Sequence, residues 1–166
     1  MKLNIQLFAE TTETKRKRSM WAHGLEISSG TYHRMGKGIS AMELSYNASE
    51  SSEKYIDEDV ATTTVDEYAP SFDNEQTCYK GEPIYEYLNE KRKKLAVGSD
   101  AESTVVNIDV LDKLEDNSYV AQKFACSISI SSYDGEKIKY KVNLNGNPID
   151  GTATIANKVI TFTETV

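Results

Sequence analysis

Apolar positions along the chain change spacing twice, and the changes divide it into strands, one helix and then more strands. From Trp21 to Tyr46 short apolar stretches are interrupted at Ser29, Gly30, Gly36 and Gly38, which predicts two or three strands with tight connections. The last of these alternates through Met42, Leu44 and Tyr46. A polar stretch, Asn47–Glu53, reads as the exposed core of a long inter-strand loop at about 46–55, and the acidic, Thr-rich Tyr55–Tyr68 reads as a further strand pattern. The spacing then predicts a helix over about 82–96. Pro83 stands in its first turn, Ile84, Tyr85, Leu88 and Leu95 share one face, and Gly98 is placed to cap its end.

After the helix the period becomes two. Val106, Ile108 and Val110 alternate with Val105, Asn107 and Asp109, and Phe124, Cys126, Ile128 and Ile130 alternate with smaller or polar residues. Asp134-Gly135 separates this strand from Ile138, Tyr140, Val142 and Leu144, and the turn-forming residues from Asn145 to Gly151 predict a return into a C-terminal meander. One helix among some eight strands predicts a mainly β, α+β fold: two packed antiparallel sheets forming a sandwich or barrel, with one flanking helix. Residues 1–20 read as an N-terminal arm with little to bury, and 21–166 as a single domain.

Charge sharpens this picture. The 166 residues carry a formal charge of -7, but Lys15, Arg16, Lys17 and Arg18 make the arm basic, whereas 43–75 holds ten carboxylates against Lys54. That asymmetry allows the arm of one copy to meet the acidic surface of another. Apolar residues at the start of the chain are interrupted by Asn4 and Gln6, so they do not read as an export signal, and no run approaches the ~20 apolar residues that span a bilayer. The two cysteines, Cys78 and Cys126, are too few for a disulfide framework or a zinc site and read as reduced and buried.

Candidate chemistry is sparse. His23 and His33 have no ligand-spaced Cys or carboxylate nearby, so no metal or other cofactor is expected. Asp57, Glu58 and Asp59 lack the glycine and the later glutamate of a calcium loop and read as an acidic interface edge. No serine sits in a nucleophile elbow, and no Cys–His spacing suggests a pair, so the chain is not expected to be an enzyme. Lys15–Arg18 reads as a partner-facing segment rather than a nucleic-acid patch, Lys91–Lys94 completes the helix end, and Trp21 reads as a core anchor.

In this order the residues resemble the tail tube proteins, or major tail proteins, of long-tailed bacteriophages. The resemblance rests on the colinearity of Met1–Ala9, of Tyr55–Asp59 with Thr62–Ser71, of Glu82–Asp100, and of Tyr119–Phe124 with Asn145–Thr152. It implies a β-sandwich subunit that forms hexameric rings, stacked into a tube around a tape-measure protein. The tube would run between a baseplate initiator and a tail terminator, would be built in the host cytoplasm for the virion tail, and would conduct DNA non-specifically through its lumen. It also implies that the arm and the long loop reach neighbouring subunits, which makes Lys15, Arg16, Lys17, Arg18, Glu50, Glu53, Lys54, Tyr55, Asp57, Glu58 and Asp59 the candidate ring-interface residues. A β-sandwich binding module of a baseplate or receptor-binding component, or another virion structural protein, is the alternative reading.

Overall fold

The computed structural model describes residues 15–165. After a 3-10 turn at Arg18–Met20 come β1 (Trp21–Ser28), β2 (Thr31–Arg34), β3 (Ile39–Ser45), β4 (Ala48–Glu53), β5 (Thr62–Tyr68) and β6 (Ser71–Thr77). The helix α1 (Pro83–Lys94) and a second 3-10 turn lead into β7 (Glu102–Lys113), β8 (Tyr119–Tyr133), β9 (Lys137–Ala156) and β10 (Val159–Glu164). The fold is mainly β with one helix, as the periodicity predicts.

Eight strands form one antiparallel sheet in the order β10-β2-β1-β7-β8-β9-β6-β3, and β10 also pairs with β9. That extra pairing closes six strands into a barrel-like circuit. Strand β9 is long enough to serve two neighbours on one edge: its start pairs with β6 from Lys137 to Asn143, and its end pairs with β10 from Gly151 to Ala156. Its opposite edge is held by β8 along most of its length.

Sequence alone places turns between Asn145 and Gly151, but the chain runs through them as one strand. Between the two partners that edge carries no ladder, so Pro148 removes no hydrogen bond there and is tolerated. Gly151 sits where β10 joins. A Cβ at this position would lie 2.5 Å from Phe162 Cζ and closer still to the Thr163 carbonyl oxygen, so only glycine permits the approach.

Two cores share the wall made by β1 and β7. Ala22, Tyr32, Val106, Ile108, Ala121, Ala153 and Ile160 are contributed by all six strands of the circuit and fill its interior. A larger core, including Leu25, Phe72, Val105, Cys126, Ile138, Tyr140 and Val142, is covered by Ile84, Tyr85 and Leu88 of α1. Val105 and Val106 belong to different cores, so β7 is buried on both faces and its apolar alternation is obscured. Cys126 is buried and Cys78 half-buried, and both are free thiols. Trp21 is only half-buried, with its ring centroid 4.6 Å from that of His23, so it marks the margin of the core rather than its centre.

The helix begins as predicted. Glu82 is its N-cap and accepts the Tyr85 N–H at 2.6 Å, with Pro83 in the first turn. Its end differs from the expected glycine cap. Leu95 takes the left-handed conformation at φ 51°, with its N–H on Arg92 O and the Ala96 N–H on Lys91 O at 3.0 Å. The side chain of Leu95 is 80% exposed rather than aligned with the buried face. A left-handed leucine costs about 1 kcal/mol or more relative to glycine and here has little packing to offset it. Leu95→Gly is therefore expected to stabilise the monomer by about 1 kcal/mol and raise Tm by about 2–4 °C in a thermal melt.

Candidate assembly surfaces

The expected long loop is a projecting β-hairpin. Strands β4 and β5 pair from Ala48↔Tyr68 to Glu53↔Thr62, and every residue in both is exposed. With solvent on both faces, no apolar alternation marks β4, so a polar stretch that reads as loop becomes strand. The pair is held by its own ladder and by side chains: Ser52 Oγ and Thr63 Oγ1 lie 2.9 Å apart, and Ser51 Oγ donates to Asp66 at 3.0 Å. At the base Asn47, at φ 47°, donates through Nδ2 to Ala69 O at 2.8 Å and Ser71 Oγ at 3.2 Å. The Tyr46 and Tyr68 rings meet edge to face there at 6.3 Å. The hairpin thus has a fixed root on the body and contributes nothing to either core.

The tip is shorter in strand than the sequence suggests. Only Thr62–Tyr68 of the Tyr55–Tyr68 pattern is strand, and 54–61 forms the connection. Within it Glu58 N–H donates to Tyr55 O at 3.1 Å and Tyr55 Oη donates to Glu53 at 3.1 Å. Of the acidic candidates, Glu50 and Glu53 stand on β4, while Asp57, Glu58 and Asp59 crown the tip beside Lys54 and Tyr55.

The basic candidates lie elsewhere. The expected arm over 1–20 falls outside the described residues for 1–14, and the remainder lies against the body. Arg16 pairs with Asp109 of β7 at 2.7 Å, and Arg18 donates to Trp21 O at 2.7 Å while its guanidinium stands 5.7 Å from the Trp21 ring centroid. Lys15 and Lys17 are exposed. No ion pair joins Lys15–Arg18 to the hairpin among the described residues. The two oppositely charged groups remain separate within the described chain. Arg18 also borders an open cleft of about 870 Å³ lined by His33, Arg34, Lys37 and Lys158, a basic surface that sequence spacing does not reveal.

His23 is buried, and its Nδ1 lies 2.7 Å from Asn107 Oδ1, an arrangement in which Nδ1–H donates. Burial is the main cause holding its pKa down at about 4, aided by the charges of Arg18 and Arg34 and opposed by the Asn107 hydrogen bond. Burial pushes the Cys126 thiol up to about 12, which favours the unreactive protonated form. Among the described residues no group of three or more His, Cys, Asp or Glu stands ready to hold a metal ion. No described helix is long and apolar enough to cross a membrane.

A second surface is also hidden from the sequence. At the end of α1, Leu95 and Val97 are 80% and 78% exposed beside Lys91, Arg92, Lys93 and Lys94. The signal was hidden because Leu95 fits the helix period as a core residue and only its left-handed backbone turns it outward. No protein-family model matches this chain, and no curated protein matches it.

Proposed function

We propose that this chain is a structural subunit of a bacteriophage tail tube. It forms hexameric rings that stack around a tape-measure protein and later conduct DNA, in a tail assembled in the host cytoplasm between a baseplate initiator and a terminator. The observation that carries the reading is the β4–β5 hairpin: thirteen strand residues, all exposed, rooted firmly on a body they do not help to stabilise. A monomer gains nothing from ordering such an element, whereas an assembly gains a rigid joint. The colinear resemblance supports a tail tube as that assembly, and the net charge of -7 suits a conduit for DNA, because carboxylates facing a lumen repel phosphates and let the duplex slide.

A binding module of a baseplate or receptor-binding component is the second reading. It is favoured by an open groove of about 860 Å³ lined by Trp21, Tyr46, Tyr68 and Phe124, aromatic residues suited to a sugar or peptide. Negative-stain electron microscopy across a concentration series, with light scattering on the same samples, separates the two. The tube subunit is expected to give rings or hollow tubes of constant bore without added ligand. Compact particles at every concentration, with saturable binding of a carbohydrate or peptide, would overturn it in favour of the module.

A further inference from the structure

The four most exposed large apolar side chains of the described residues are Ile56 at 106%, Leu95 at 80%, Val60 at 79% and Val97 at 78%. They fall into two patches. Ile56 and Val60 bracket Asp57, Glu58 and Asp59 at the hairpin tip, and Leu95 and Val97 follow directly on Lys91, Arg92, Lys93 and Lys94. Each patch therefore pairs an aliphatic surface with charges of one sign, and the signs are opposite.

The helix-end patch is concave. Leu95, Val97 and Arg92 border an open depression of about 660 Å³, with Ile128, Ile130 and Tyr133 of β8 beneath them. Arg92 is fixed there, its guanidinium 3.9 Å from the Tyr133 ring centroid. Lys91 is held by the carbonyl oxygens of Asp100 and Glu102 and lies 4.7 Å from the Tyr87 ring centroid. Lys93 and Lys94 are exposed and make no ion pair among the described residues, and the same holds for Asp57 and Asp59 at the tip. A convex acidic tip with two aliphatic side chains has the shape and charge to fill this depression. The two patches do not meet within one chain, where both stay exposed.

We infer that the hairpin tip, Tyr55–Val60, seats in the helix-end depression of a second copy of this chain, with Ile56 and Val60 against Leu95 and Val97 and with Asp57 and Asp59 facing Lys93 and Lys94. The apolar pair forms the dry centre and the charges form the rim. Because tip and depression are different surfaces, the contact is head-to-tail: every copy offers one of each, and association continues until a ring closes or a filament grows. The inference deepens the tube reading by naming the joint, and it rests on that reading only for the geometry of the product.

Charge reversal tests it. Asp57→Lys with Asp59→Lys reverses the tip, and Lys93→Glu with Lys94→Glu cancels the net charge of the Lys91–Lys94 run beside the depression; none of the four side chains makes an ion pair among the described residues. Sedimentation velocity across a concentration series is expected to show self-association of the unaltered protein weakened by about a hundredfold in each double variant. An equimolar mixture of the two variants should recover it, since the lysine tip of one then meets the glutamates at the helix end of the other, and the acidic tip of the second meets the unaltered lysines of the first. Loss in each variant without recovery in the mixture, association of both variants as strong as that of the unaltered protein, or an unaltered protein that stays monomeric to its solubility limit would overturn the inference. The same samples are imaged. Hollow tubes from the unaltered protein and from both variants would sink the joint and leave the tube reading standing, whereas charge-dependent chains without a bore would do the reverse.

Discussion

Phe72→Ala is expected to destabilise the protein by about 3–5 kcal/mol and lower Tm by about 6–20 °C, measured by chemical and thermal unfolding. Phe72 is fully buried and sits on β6 between Leu44 of β3 and Val142 of β9 in the register. Its ring centroid lies 4.6 Å from that of His23, edge to face. Truncation to alanine removes the transfer energy of a whole ring and leaves a cavity where strands on both sides prevent collapse. Against a net stability of about 5–15 kcal/mol for a typical domain, that loss is about a fifth of the total or more. The effect is also positional. β6 leads directly away from the hairpin, with only Ala69 and Pro70 between β5 and its first residue, so loosening β6 loosens the root on which the hairpin stands. A loss below about 1 kcal/mol would mean that the β3–β6 end of the sheet is not part of the cooperative core.

How much of this was legible in the sequence depended on whether a residue's surroundings repeat with the period of its element. Phe72 is the second residue of β6, where Phe72, Asn74 and Gln76 turn inward; two of the three are polar, so no apolar alternation announces that strand. Strand β8 was plain, because Phe124, Cys126, Ile128 and Ile130 face one core in steps of two. The helix start was plain as well, since Pro83 and Glu82 act locally. Its end was not: a left-handed leucine contradicts the ordinary cost of that conformation, and Gly98, though also at positive φ, lies beyond the cap. Sequence divides β9 in two because Asn145, Gly146, Pro148 and Gly151 are turn formers. A strand tolerates them where one edge lacks a partner, and which edge is free is a long-range fact. The interface candidates divided in the same way. Glu50, Glu53, Asp57, Glu58 and Asp59 share one hairpin, since neighbours in a hairpin are neighbours in sequence, while Lys15–Arg18 lie apart from it. The exposed basic and apolar patch at Lys91–Val97 emerges only once the backbone has turned.

Acidification is expected to weaken the fold through His23, with the loss spread between pH about 6.5 and about 4. In the unfolded chain this imidazole has its ordinary pKa of 6.5, and in the folded protein it is held near 4. Across that window the unfolded state binds a proton that the folded state refuses, so stability rises with pH: it is fully present above about 6.5 and falls progressively to about 4, below which both states are protonated. The difference amounts to about 3 kcal/mol, and with the imidazole 1% exposed little of it is lost to solvent screening. The geometry explains the refusal. Nδ1–H is spent on Asn107 Oδ1, and Nε2 is buried without a hydrogen-bond partner, so a second proton would place an unpaired charge among aromatic rings. Depressed carboxylates contribute to acid unfolding too: the Lys137 and then the Lys139 hydrogen bond lowers Glu75, and Ser118 lowers Asp116. They are unchanged in His23→Gln and cancel when the two proteins are compared. The stability of the unaltered protein relative to His23→Gln should therefore drop by about 3 kcal/mol from pH 7.5 to pH 4, and parallel pH profiles would refute the assignment. Phe72→Ala ties this to the first prediction, since opening the cavity beside His23 admits solvent to the imidazole, raises its pKa toward 6.5 and flattens the same profile.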